Sequence, residues 1–221
     1  MKQLIFLSLF LLLTTPLAAQ KFYEHKYRNN FNFSVLSLMA DNPGFEFGYE
    51  RKYGNWSTLV TYTILSDAAA LPGFRGKPDT AYFGHYGGYR VSLEQRYFFP
   101  QQRVLMPYLS LFGSWLKSEY IISDRFGPNP GYLDTFAVNR ANLVISPRFG
   151  IQIHLNRLLI DTGVGFGLKW RQTRNTGRQN PADKPSPNLI YSIIPILPRD
   201  GKEIEGLNIS FPVNVRLAFQ F

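Results

Sequence analysis

Between Leu207 and Phe221 every odd position is apolar: Leu207, Ile209, Phe211, Val213, Val215, Leu217, Phe219 and Phe221. Apart from Pro212 and Ala218, the even positions are polar or small: Asn208, Ser210, Asn214, Arg216 and Gln220. Strand side chains alternate between faces, so this segment builds a ribbon with one greasy side and one wet side. It is long enough to cross a bilayer as a tilted strand and ends on an aromatic. It therefore reads as the closing strand of a transmembrane β-barrel.

The same period recurs upstream. Leu143, Ile145, Pro147, Phe149, Ile151, Ile153 and Leu155 alternate with Val144, Ser146, Arg148, Gly150, Gln152 and His154. After Asn156-Arg157, Leu158, Ile160, Thr162, Val164, Phe166, Leu168 and Trp170 alternate with a row holding Asp161, Gly163, Gly165, Gly167 and Lys169. A two-residue joint between such runs is a hairpin turn. Phe45 to Tyr53, Trp56 to Ile64, Tyr89 to Tyr97 and about Val104 to Tyr120 add four more strands, with turns at Gly54-Asn55 and Pro100-Gln101-Gln102. A first strand, about Phe31 to Met39, alternates less cleanly and leads to a turn at Asp41–Gly44. Eight strands result. Short joints follow strands two, four and six, and long ones, about 66–87, 122–142 and 172–206, follow strands three, five and seven. The long joints are rich in Gly, Pro, Asn and Asp, as solvated loops are. Barrels of the outer membrane pair short periplasmic turns with long external loops, which puts both termini in the periplasm.

The start of the chain carries an address. Lys2 precedes the apolar run Leu4–Leu13, and Thr14-Thr15-Pro16 and Leu17-Ala18-Ala19-Gln20 supply a break and small residues for cleavage. Residues 1–20 are expected to be a secretory signal peptide, residues 21–30 a basic periplasmic lead-in, and residues 31–221 the barrel. The apolar run is about half of the ~20 residues a spanning helix needs. The chain has no cysteine, so neither a lipoprotein anchor nor a disulfide is open to it. Aromatics make up 16% and charged residues 18%, the latter low against about a quarter in soluble domains. The net charge of +9 suits a surface rich in anionic lipid. Nucleic acid, the usual alternative for a basic chain, lacks any recognisable module here.

A soluble barrel alternates too, with its apolar face inward. Three features favour the inverted arrangement. The polar faces carry charges of both signs at mid-strand beside Gly163, Gly165 and Gly167. Tyr53, Trp56, Tyr97, Phe99, Trp170, Phe219 and Phe221 gather near strand ends on the apolar face, as interfacial aromatics do. A closed sheet also leaves no backbone unpaired in hydrocarbon. The fold class is therefore all-β, an eight-stranded antiparallel up-and-down transmembrane β-barrel.

These strands, together with Phe47-Gly48-Tyr49-Glu50-Arg51 ahead of a turn into Trp56-Ser57, Glu94-Gln95-Arg96-Tyr97-Phe98, and the Asp161–Gly167 strand, resemble the small outer-membrane β-barrel proteins of Gram-negative bacteria. The resemblance is to the eight-stranded barrel of the OmpA type and the "outer membrane protein beta-barrel domain" group. It covers nearly the whole mature chain, implies fold and outer-membrane location, and carries no catalytic motif.

Inward charges are the most informative chemistry. Glu50, Glu94, Arg96, Asp161 and Arg216 fall at similar depths, with Arg148 somewhat higher. Eight strands enclose little beyond side chains, so these six should form a cross-lumen ion-pair layer, and Arg216→Ala should cost about 3–5 kcal/mol if the pair is dry. Lys169, Arg171, Arg174, Arg178 and Lys184 cluster above the outer aromatics and are candidates for contacting lipopolysaccharide phosphates. Phe219 and Phe221 are the expected signal for the barrel-assembly machinery. Leu189–Leu197 is unexpectedly apolar for a loop and could be a partner surface.

No catalytic site emerges. Of three histidines, His25 lies in the lead-in, His154 at the periplasmic end, and only His85 near the outer rim. Ser66, Asp67, Ser118 and Ser123 could approach His85, yet the spacing matches no nucleophile–base signature. No His, Cys or Asp cluster has metal-ligand spacing, and no cofactor is expected. The expected role is a non-enzymatic barrel with structural or surface-interaction function, its lumen plugged and its loops displayed to an unknown envelope or surface partner. The alternatives are a narrow pore or accessory barrel of a secretion or lipid-transport system, and then a lipid A-modifying enzyme.

Overall fold

The computed structural model describes residues 28–38, 44–66, 84–99, 104–126, 132–180 and 203–221. Eight strands alternate up and down: β1 Asn29–Ser34, β2 Gly44–Tyr53, β3 Trp56–Ser66, β4 Gly84–Phe98, β5 Leu105–Phe126, β6 Tyr132–Leu155, then β7 as Leu158–Gly165 and Gly167–Thr176, and β8 as Ile204–Ser210 and Val213–Gln220. Each pairs antiparallel with its chain neighbour, and β8 returns to β1, so the sheet closes into a barrel. The two-residue turns form as the sequence requires. Gly54 and Asn156 take positive φ, 58° and 60°, the left-handed geometry that tight hairpins need and that Gly and Asn tolerate.

The interruptions in β7 and β8 have a common cause. Pro147 and Pro212 bring no N–H to the ladder. Phe166 N still donates to Pro147 O at 3.3 Å and Gly165 N to Pro212 O at 2.8 Å, while the return bonds are missing. The register is unchanged across both breaks, so each pair of segments acts as one strand.

Closure fixes the size. From Phe31 the paired positions run through Tyr49, Val60, Leu93, Gly113, Ile145 and Leu168 to Ile209, whereas Phe31 itself pairs with Phe219. The ten-residue offset between Ile209 and Phe219 is the shear of the barrel. With a rise near 3.3 Å and strands about 4.8 Å apart, that shear tilts the strands by roughly 40° around a backbone radius of about 8 Å.

This barrel is an inverted protein. Phe31, Tyr49, Val60, Leu93, Ile145, Leu168 and Ile209 are all exposed, while Glu50, Glu94, Arg96, Asp161 and Gln152 are buried. The outward row of β7 from Leu158 to Trp170 spans roughly 30 Å along the axis at this tilt, enough for the apolar band of a transmembrane barrel. Tyr53, Trp56 and Tyr97 ring its lower end, with Trp56 and Tyr97 in edge contact at 5.0 Å between centroids. Tyr89 and Trp115 pack at 5.5 Å near its upper end.

Two expectations need correction. The first strand ends at Ser34 rather than near Met39, because Leu36–Leu38 form one 3₁₀ turn, held by Ser37 Oγ donating to Ser34 O and Gly44 O, both at 2.8 Å. The loop expected over 122–142 is largely strand: β5 and β6 stay in register as far as Phe126 and Tyr132. This extension rises above the Tyr89–Trp115 aromatic pair, and the apolar–polar alternation that marks the lower strands fades there. Its inner face carries a separate apolar core of Tyr120, Ile122, Phe136 and Val138, flanked by Tyr86 and Tyr132. Among the described residues, the wall therefore rises higher along β5 and β6 than along β1–β3.

Candidate functional site in the barrel lumen

Cross-strand register brings the inward charges to one level. Asn30 pairs with Glu50, Glu50 with Leu59, Leu59 with Glu94, and Arg216 with Asp161, which in turn pairs with Gln152. Side chains from β2, β4, β6, β7 and β8 then meet across the lumen, where Glu50, Arg96 and Asp161 are fully buried.

Arg96 is the centre of the layer. Its Nη1 donates to Glu50 Oε1 at 3.2 Å, and its Nη2 donates to Glu94 Oε2 at 3.0 Å and Asp161 Oδ2 at 2.8 Å. Its guanidinium also lies 4.6 Å from the centre of the Tyr108 ring, a cation–π contact that favours the planar Arg fork over a lysine. Arg216 forms a second hub. It donates to Glu46 Oε1 at 3.1 Å, to Glu94 Oε2 at 3.4 Å and to Asp161 Oδ2 at 3.5 Å. Arg148 lies 3.6 Å from Glu94 and stacks on Phe112, 3.2 Å from the ring centre.

Neutral groups occupy the remaining lone pairs. Asn30 Nδ2 and Ser57 Oγ donate to Glu50 at 2.7 and 2.5 Å, Ser110 Oγ to Glu94 at 2.7 Å, and Tyr108 Oη to Asp161 at 2.8 Å. Gln152 bridges the layer to Lys52, donating to Glu50 Oε2 at 3.2 Å and accepting from Lys52 Nζ at 2.9 Å. Buried charges persist only when paired and hydrogen-bonded in this way.

All six residues expected to form the layer thus meet. Sequence reasoning left out Glu46, Arg90, Tyr108 and Gln152. Glu46 bridges Arg216 to Arg90, which lies 3.0 Å from its Oε2. Glu46 and Gln152 share the inward face with Glu50 and Arg148, so alternation alone could have included them. Tyr108 carried no such signal, since an aromatic in a strand reads as lipid-facing.

Glycine makes the room. A Cβ at Gly165 would sit 2.6 Å from Arg148 Cγ and 2.8 Å from Pro147 O, and one at Gly150 would overlap the Tyr108 ring and lie 2.7 Å from Thr162 O. Gly150 and Gly165 are thus sockets for the large side chains of Tyr108 and Arg148.

The outer basic residues are not gathered into one patch. Lys169 and Arg171 alternate with the exposed Leu168 and Trp170 and so lie on the lumenal face, where Arg171 Nε donates to Thr173 Oγ1 at 3.2 Å. Arg174 is exposed on the outer face. Arg178 lies 4.0 Å from Asp134 and over the Phe136 ring at 5.6 Å. Lys184 and the Leu189–Leu197 stretch lie outside the described residues. Phe219 and Phe221 are exposed at the lower rim, and Phe221 exchanges backbone bonds with Asn29 at 2.9 and 3.2 Å. His154 sits at the same end, its Nδ1 3.2 Å from Gln220 Oε1. His25 and Asp67 lie outside the described residues.

No protein-family model matches this chain, and no curated protein matches it. Among solved structures, a major outer membrane protein from Thermus thermophilus aligns over 89% of this chain and 100% of its own, at 10% identity and a TM-score of 0.40. That likeness is too slight to inform this chain. The barrel assignment rests on the strand register, and the transmembrane reading on the exposed apolar wall and buried charges.

Proposed function

We propose that this protein is a non-enzymatic barrel of the bacterial outer membrane, sealed across its lumen by the Arg96–Arg216 ion-pair layer and serving to hold an external surface in place. The observation that carries the reading is the complete burial of Arg96, Glu50 and Asp161, each with 0% exposure. Charged groups that water cannot reach mark a closed section of the lumen. Around them the carboxylates are well supplied: Glu46, Glu50, Glu94 and Asp161 each accept from at least one arginine, and Ser, Tyr, Asn and Gln donate to Glu50, Glu94 and Asp161. A pore would need this level to be wet.

Above the seal the protein invests in exterior structure. The β5–β6 hairpin rises past the aromatic belt with its own apolar core, more than a sealed anchor needs and suited to presenting a surface to a partner outside the cell. Of the five basic candidates, Arg174 is, among the described residues, the one exposed on the outer face above Trp170, where it would meet lipopolysaccharide phosphates. Phe219 and Phe221 serve as the strand end read by the assembly machinery.

Planar-bilayer recording of the purified, refolded full chain tests the reading. The expected result is no steady single-channel conductance across the physiological voltage range. A reproducible ohmic conductance would overturn the sealed lumen and restore the narrow-pore alternative.

A further inference from the structure

The outward wall is not uniformly apolar. On β5–β8 its lower half is carried by Leu109, Leu111, Phe149, Leu158, Leu217 and Phe219, all exposed, with Thr162 the single polar side chain among the described residues there. On β2–β4 the same height holds Arg51, Thr58 and Gln95. Alternation fixes their direction: Arg51 stands between the buried Glu50 and Lys52, Thr58 between the buried Ser57 and Leu59, and Gln95 between the buried Glu94 and Arg96. Register makes them neighbours, since Arg51 pairs with Thr58 and Thr58 with Gln95. With strands tilted by roughly 40°, their Cα atoms lie about 5, 8 and 11 Å above that of Tyr53 in the lower aromatic ring. Polar and charged groups that face hydrocarbon are costly, and their presence marks a site.

Tyr53, Thr58 and Gln95 close a ring of hydrogen bonds on this face. Thr58 Oγ1 donates to Gln95 Oε1 at 2.7 Å, Gln95 Nε2 donates to Tyr53 Oη at 2.7 Å, and Tyr53 Oη lies 2.8 Å from Thr58 Oγ1. The Thr58 hydrogen is spent on Gln95, so Tyr53 donates in the last bond and the ring runs one way round. Both hydroxyl hydrogens and the amide oxygen are thereby engaged. The notch still offers donors: the second N–H of Gln95 and the N–H fork of the Arg51 guanidinium. Trp56 and Tyr97, in edge contact at 5.0 Å, flank it toward the rim. Val60 and Leu93, both exposed, stand above it.

Arg51 calls for an anion. It is exposed and makes no hydrogen bond or ion pair among the described residues. Nor does any described Asp or Glu face outward on β1–β4, because Glu46, Glu50 and Glu94 are buried in the lumen. A second copy related by a two-fold axis through this face would set Arg51 against Arg51 and bring no acid from the same strands. At the level of the lower aromatic ring, the neighbour of an outward side chain is the lipid headgroup region. The anion available there is phosphate, and guanidinium and amide N–H groups suit its oxygens.

We infer that Arg51 and Gln95, with Gln95 held by the Tyr53–Thr58 ring, form a binding site for the headgroup phosphate of an anionic phospholipid. The lipid belongs to the leaflet on the side of the two chain termini. Arg51 takes the phosphate oxygens, the Gln95 N–H reaches them from the hydrocarbon side, and the acyl chains lie over Val60 and Leu93. The site rests on the transmembrane reading of the wall and holds one lipid against β2–β4.

Trp56 reports on the site. The full chain carrying Trp115→Phe and Trp170→Phe is refolded into mixed vesicles of phosphatidylcholine and phosphatidylglycerol, with the acyl chains of one or the other brominated, so that quenching of Trp56 counts the lipid beside it. Phosphatidylglycerol should be enriched about fivefold at Trp56, the gain that one interfacial arginine supplies. Arg51→Gln should bring the ratio to about one with the heat-modifiable barrel intact, and Gln95→Leu should lower it to a lesser degree. The ratio at Trp115, read in a protein that keeps only that tryptophan, should not move with Arg51→Gln. Equal quenching of Trp56 by both lipids would overturn the site alone. So would enrichment that survives Arg51→Gln, or enrichment that falls as the protein-to-lipid ratio rises, which means that a second copy covers the face. Trp56 quenched by neither lipid would overturn the transmembrane reading and the site with it.

Discussion

Replacing Arg96 with methionine keeps most of the volume of the side chain and removes its charge from the centre of the lumen. Arg96 meets three carboxylates at 2.8–3.2 Å. Each such contact is worth about 5 kcal/mol before desolvation at an effective dielectric near 20. Taking a guanidinium out of water cancels much of that sum, so the gross total is not the expected loss. The surviving partners decide the outcome. Glu94 keeps Arg216 and Arg148, and Asp161 keeps Arg216 and Tyr108. Glu50 loses the one cation within 4.0 Å of it among the described residues and retains only Asn30, Ser57 and Gln152. A buried carboxylate left without its cation should make Arg96→Met about 3–5 kcal/mol less stable. Adding Glu50→Gln removes the stranded charge and should recover at least about half of that loss, a coupling expected only of groups in direct contact. Urea unfolding in lipid vesicles, followed by tryptophan fluorescence and extrapolated linearly, measures both values. A loss under about 0.5 kcal/mol for Arg96→Met would show that water replaces the guanidinium and that the layer is wet. A double variant no better than the single one would show that Glu50 is not the group left stranded.

Gly150→Ala should cost about 1–3 kcal/mol, because the new methyl displaces the Tyr108 ring from Asp161 and also meets the Thr162 carbonyl; urea midpoints with and without a Tyr108→Phe background would show whether the ring is the cause. Leu93 faces lipid near the middle of the apolar band, so Leu93→Arg should destabilise the barrel by about 2–4 kcal/mol in vesicles, and an unchanged unfolding midpoint would mean that this face does not meet hydrocarbon. Single-tryptophan variants retaining Trp56 or Trp115 should be quenched best by headgroup-depth quenchers, and a tryptophan placed at Val60 best by mid-bilayer ones; equal depth profiles would remove the two aromatic belts. Deleting Phe221 should lower the yield of inserted, heat-modifiable barrel in cells, and wild-type insertion would release that residue from any assembly role.

The membrane-facing part of this fold is readable in the chain because hydrocarbon imposes one rule on every strand that crosses it. Outward residues must be apolar, so period two survives in Leu158–Trp170 and Leu207–Phe221 without any knowledge of neighbours. The same rule places Glu50, Glu94, Arg96, Arg148, Asp161 and Arg216 on the inner face, and distance from the nearest turn sets their depth. Alternation cannot say which partners meet. That depends on the ten-residue shear, which brings Arg216 beside Asp161 and Glu46 and carries Arg96 across to Glu50, and on glycine sockets that let Tyr108 and Arg148 reach the axis. Nor could it reach above the outer aromatics: residues 122–126 and 132–142 lack the pattern of a lipid-facing strand, and only their pairing with each other makes them strand. The early end of β1 is set by the Ser37 bonds to Ser34 and Gly44, local contacts that exist once β2 is in place.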